Sequence, residues 1–77
     1  MNFDYSRLRG KIKEVFGTEE NFAKALGIGR VSLSQRLNNI LEFSQREMLK
    51  SCELLGLGYD EISDYFFCKM SSETRTK

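Results

Sequence analysis

Apolar residues recur along this chain at helical spacing, in short bursts separated by glycines and small polar residues. Leu8, Ile12, Val15 and Phe16 stand at i, i+4, i+7 and i+8 and predict an amphipathic first helix. Asp4 is its expected N-cap, Phe3 is placed to staple onto Leu8, and Gly17 ends it. Gly10 lies inside this helix, where glycine costs about 1 kcal/mol relative to alanine, so close packing or a nearby backbone is expected there. Thr18 caps a second helix running to Leu26, and Glu19 and Glu20 in its first turn suit the positive end of the helix dipole. A third helix is expected from Arg30 to Asn38, with Leu33 and Leu37 turned inward. Asn39 to Glu42 makes a loop whose Ile40 and Leu41 are expected to enter the core. Ser44 with Glu47 three residues on forms a capping box, and Phe43 can staple onto Met48. Met48, Leu49, Cys52 and Leu55 then predict a fourth helix that stops at Gly56. Leu57 to Ile62 opens a short acidic fifth helix reaching about Tyr65, with Ile62, Tyr65 and Phe66 completing the core.

The expected fold class is therefore all-α: a compact bundle of about five short helices, with a short extended segment near the C-terminus. Its organising stretch is Glu19 to Asn38. Phe22, Ala23 and Leu26 share one face of the second helix, and Gly27-Ile28-Gly29 leaves room only for a tight turn. Gly27 sits where a left-handed helix stop is needed, and Ala23 is small where two crossing helices must approach closely. Two helices fixed by such a turn make a helix-turn-helix.

The spacing from Ala23 to Gly27 to Leu33, with Ile28 in the turn, resembles the Cro/CI-type (lambda-repressor-like) helix-turn-helix family of phage and bacterial repressors, and GIGRVSLSQRLNN resembles the turn and recognition helix of short phage regulators. The resemblance implies base-reading positions at Arg30, Val31 and Gln35. The chemistry agrees: arginine can bind guanine, glutamine can bind adenine, and a small apolar side chain can meet a thymine methyl. Ser32, Ser34, Arg36 and Asn38, with Asn39 and Arg46 beside them, are expected as DNA backbone or secondary contacts. The chain departs from this family at Glu19, where many such repressors carry a glutamine that holds a phosphate; a carboxylate there would repel one.

Composition adds bounds. Seventy-seven residues, 40% hydrophobic and 30% charged, make one small domain, expected over 1–70, with a polar tail at 71–77 expected to be disordered. The apolar runs are too short for a membrane span. The first ten residues lack the apolar core of a signal peptide, so a cytoplasmic site, the bacterial host cytosol, is expected and Cys52 and Cys68 read as reduced thiols; a disulfide between them is the lesser alternative. Two cysteines without any histidine argue against a zinc site, and no cofactor is expected. The net charge is only +1, yet nine bases face five acids between Tyr5 and Lys50, whereas three bases face five acids from Ser51 onward.

An enzyme is the weakest function class, because no nucleophile has an identifiable base and no glycine-rich phosphate loop is present. The leading expectation is a sequence-specific, Cro-like DNA-binding regulator that occludes an operator in double-stranded DNA. A single such module discriminates poorly at about 1–3 kcal/mol per mismatched base pair, so a homodimer on a palindrome is expected. Phe66 and Phe67 are the expected dimer interface: they point to different sides, at least one lacks an obvious partner, and pairing with a second copy would bury it, as would folding back on the chain's own first helix. The alternative function is an antirepressor or modulator that binds another phage repressor protein, favoured by the low net charge, by Glu19 and by the acidic C-terminal third. An antitoxin is a third option.

Overall fold

A computed structural model describes residues 2–69. Within them the chain forms helices α1 (Ser6–Phe16), α2 (Glu19–Leu26), α3 (Arg30–Leu37), α4 (Gln45–Leu55) and α5 (Ile62–Phe66), the last preceded by a 3-10 turn at Tyr59–Glu61. The all-helical bundle expected from the apolar spacing is what the structure shows, and the tail at 71–77 lies outside the described residues.

The helix ends follow local chemistry. Thr18 accepts the Asn21 backbone N–H and starts α2. Gly27 stops it at φ 89°, in the left-handed region that favours glycine, and its N–H returns to the carbonyls of Ala23 and Lys24. Ser44 and Glu47 form the reciprocal capping box at the start of α4. The first helix begins one residue later than expected. Tyr5 occupies the N-cap position without a side-chain bond, while the Asp4 carboxylate accepts the Ser6 backbone N–H at 2.9 Å and the Ser6 hydroxyl. These two bonds hold the Asp4 carboxyl below its ordinary value.

Leu8 and Ile12, Phe22, Ala23 and Leu26, Leu33 and Leu37, Cys52 and Leu55, and Phe66 supply the buried faces of the five helices in turn. Aromatic rings join them edge-on: Phe16 to Phe22 at 5.4 Å, Tyr5 to Phe43 at 5.6 Å and Phe43 to Phe66 at 5.1 Å between centroids. Val15 and Leu49, expected on inner stripes, are exposed instead. Ser51 takes an inner place on α4 because its hydroxyl donates to the Glu47 carbonyl at 2.7 Å, one turn back, and so needs no water. Gly10 has open space where a Cβ would stand, so neither close packing nor backbone approach accounts for it.

The extended segment near the C-terminus pairs with the chain's own N-terminal residues. Phe3 and Lys69 form an isolated antiparallel bridge, and the Asp4 N–H donates to the Cys68 carbonyl at 2.6 Å. Cys52 is buried and Cys68 exposed, and neither is bridged.

Candidate functional site: the outward face of α3

Gly27 and the short turn after it set α3 at the surface, anchored by Leu33 and Leu37. Its outward side, with Glu19 at the start of α2 and Ile40 after α3, surrounds a shallow concavity of about 240 Å³ lined by Arg30, Val31, Ser34 and Gln35. The three residues expected to read bases are thus brought together, with Arg30 and Val31 exposed and Gln35 half-buried.

Most of the expected backbone-contacting residues have other partners. Arg36 turns toward α4, where its Nε donates to Glu47 Oε1 at 2.9 Å and its Nη2 to Oε2 at 3.2 Å, while Nη1 reaches the Ser32 carbonyl at 2.8 Å. Burial alone would raise the Glu47 carboxyl. The bonds from Arg36 and from the Ser44 N–H, with the charge of Arg36, outweigh it and hold the group below its ordinary value. The fork-to-carboxylate pair is a brace between α3 and α4, and it commits the Arg36 guanidinium that was expected to clamp a phosphate. Asn38 donates to the Ser34 carbonyl at 2.9 Å and to its hydroxyl at 3.2 Å, and accepts from Arg9 at 3.2 Å. Asn39 has φ 64° and treats Phe3 as a strand neighbour would, accepting its N–H at 2.9 Å and donating to its carbonyl at 3.0 Å. Its amide is thus committed within the chain as well. Ser32 is half-buried, and Arg46 stays exposed beside Lys50 and Ile28 on another part of the surface.

Glu19 has a positive reason to be an acid. Its Oε2 accepts from Arg9 Nη1 at 2.8 Å, and Arg9 Nη2 continues to the Leu37 carbonyl at 3.3 Å. One guanidinium therefore ties α1 to the start of α2 and the end of α3. Sequence reasoning missed both braces, since Arg9 and Glu19 lie ten residues apart, Arg36 and Glu47 eleven, and no periodicity links such positions.

Ile40 and Leu41 correct another expectation. Both backbone N–H groups bond to the Gln35 carbonyl, at 2.8 and 3.1 Å, wrapping the chain over the end of α3 after the left-handed turn at Asn39. Their side chains consequently face outward, Ile40 at 67% exposure and Leu41 at 44%, and Ile40 lines the same concavity as Val31, itself 69% exposed. Phe66, expected both to complete the core and to stand at a dimer seam, is a core residue at 2% exposure. Phe67 is 47% exposed and meets Phe3 edge-on at 5.7 Å, so the aromatic pair is satisfied largely within one chain.

Among the described residues no helix is long and apolar enough to cross a membrane, and no group of side chains is arranged to hold a metal ion.

The profile of a family described as protein of unknown function (DUF739) matches residues 1–69. Among solved structures, the chain is similar to the solution structure of the modulator of repression (MOR) of the temperate bacteriophage TP901-1 from Lactococcus lactis. The two are 42% identical, with a TM-score of 0.77, over 87% of this chain and 90% of that one. No curated protein matches. These findings correct the Cro/CI reading: the matching family is a different one, and the solved relative is a modulator of repression rather than a Cro-like repressor. The expectation of an operator-binding repressor is withdrawn with it.

Proposed function

The chain belongs to the DUF739 family, and we propose that it is a phage modulator of repression that acts by binding another phage regulator, a repressor protein. The observation that carries this reading is the 42% identity to the TP901-1 modulator over nearly the whole of both chains. The surface of α3 supports it. A phosphate-gripping face needs several uncommitted cations and amides, because affinity for DNA rises with each phosphate neutralised. Here Arg36, Asn38 and Asn39 are committed to intramolecular bonds, while Val31 and Ile40 stand bare beside Arg30. Aliphatic side chains around one arginine make the composition of a protein-binding patch. The mechanism involves no bond-making chemistry: occupation of the repressor changes the repressor's hold on its operator. The site of action is the repressor's own, the bacterial cytosol.

The test is an operator-binding titration with the repressor encoded nearest to this gene. Alone, this protein should leave operator DNA unshifted at concentrations where the repressor saturates it. Added to the repressor, it should move the repressor's operator-binding curve. A sequence-specific shift by this protein alone, steeply weakened by salt, would overturn the reading.

A further inference from the structure

We infer that the concavity between α3 and the turn after it, walled by Val31 and Ile40 with Arg30 at its rim, is the surface on which the repressor docks, and that its occupant is a repressor element pairing an aliphatic ridge with a carboxylate. The inference rests on the proposed function and names its surface.

Charge selects the occupant. Two of the charged side chains around α3 are already neutralised: Glu19 by Arg9 at 2.8 Å and Arg36 by Glu47 at 2.9 Å. Arg30 is exposed and makes no ion pair among the described residues. Covering Val31 and Ile40 excludes water from the neighbouring guanidinium, and a charge desolvated without a partner is strongly unfavourable. An occupant that seals this face must therefore bring an acid to Arg30 as well as apolar atoms to the two aliphatic walls. A duplex fits poorly, since one unpaired arginine offers little against a row of phosphates and two bare aliphatic residues gain nothing from them.

The face is also built to be rigid, which lowers the ordering cost of association. Arg9 ties the end of α3 to α1 and α2, the Arg36–Glu47 fork ties its outer turn to α4, and Asn39 fixes the turn that carries Ile40. Val31 and Ile40 are thereby presented from a frame that does not have to form on binding.

The experiment titrates the full-length protein against the purified repressor encoded nearest to this gene, by calorimetry. Val31→Asp, Ile40→Asp and Arg30→Glu should each weaken binding about tenfold or more, as expected for central interface positions. Lys13→Glu, on the exposed side of α1, should stay within about twofold. All four positions are exposed, and circular dichroism melts within a few degrees of wild type establish that the variants fold. Replacing the repressor's acids one at a time by lysine should reveal one whose variant restores binding to Arg30→Glu; that rescue identifies the carboxylate. If wild type binds the repressor and all three variants bind equally well, the surface is wrong and the function stands. The same holds if Phe67→Asp alone abolishes binding, which would place the contact on the aromatic side. Should Ile40→Asp instead dissolve a homodimer in sedimentation and leave repressor binding unchanged, the face belongs to a second copy and the inference is overturned. No binding by wild type overturns surface and function together.

Discussion

Asn39 shows how a single side chain can do work that a motif search assigns elsewhere. It adopts φ 64° without being glycine and supplies both halves of a hydrogen-bonded pair to Phe3. Asparagine tolerates the left-handed region better than other residues with a Cβ, and its amide mimics a peptide group. Asn39→Ala removes both bonds and places a methyl group at positive φ, so it should destabilise by about 1–3 kcal/mol. Asn39→Gly relaxes the backbone and should lose less; urea titration of the two variants separates the contributions. Glu47 offers a second residue-scale test, in pH. Its folded-state value lies below the ordinary 4.5, so the stabilisation it brings is fully present above that value and is lost as pH falls through the lower folded value. Glu47→Gln keeps a capping side chain but loses the charge. The melting-temperature gap between wild type and this variant should be widest near neutrality and should close under acid conditions. The capping role of Glu47 was legible from its spacing to Ser44, but its bond with Arg36 was not, because the partners of Asn39, Arg36 and Glu19 are fixed only once the helices have packed.

The elements themselves were largely legible. Caps, glycine stops and apolar spacing are local signals, and α2 and α4 start and stop where Thr18, Gly27, Ser44 and Gly56 indicate. Errors occurred where a short segment could turn either way. Val15 and Leu49 border the apolar stripes and fall on the solvent side, and Ile40 and Leu41 follow a left-handed residue whose conformation sequence spacing does not reveal. The interior glycine of α1 gives a clean element-scale prediction. Space around Gly10 is open, so Gly10→Ala should stabilise the protein by about 0.5–1 kcal/mol through helix propensity and the less flexible unfolded chain. A thermal melt should rise by several degrees, since 1 kcal/mol corresponds to about 4–8 °C in a domain of this size. At the start of α2, Thr18→Ala should cost about 1 kcal/mol by leaving the Asn21 N–H without its acceptor.

At the scale of the whole molecule, a fold does not by itself fix a function, which is why the five-helix bundle was legible while the leading functional expectation failed and the alternative, a modulator that binds another regulator, is the one the solved relative favours. The sequence between Gly27 and Asn38 describes a turn and an outward helix; whether that helix meets bases or a protein depends on what its neighbours leave uncommitted. Phe66 illustrates the same limit from the other side. A run of two phenylalanines reads equally well as seam or core, and only the ring of Phe43 at 5.1 Å decides it. Phe66→Ala should cost about 3–5 kcal/mol, comparable to the entire stability of so small a domain, and should leave the chain substantially unfolded at 25 °C by circular dichroism. The bridge between Phe3 and Lys69 carries a practical corollary. Because those backbones lie side by side, a donor dye on Asn2 and an acceptor on Lys69 stand as neighbours in the native state and separate on melting. Energy transfer between them reports the integrity of the whole bundle from a single pair of labels, while leaving the α3 face clear.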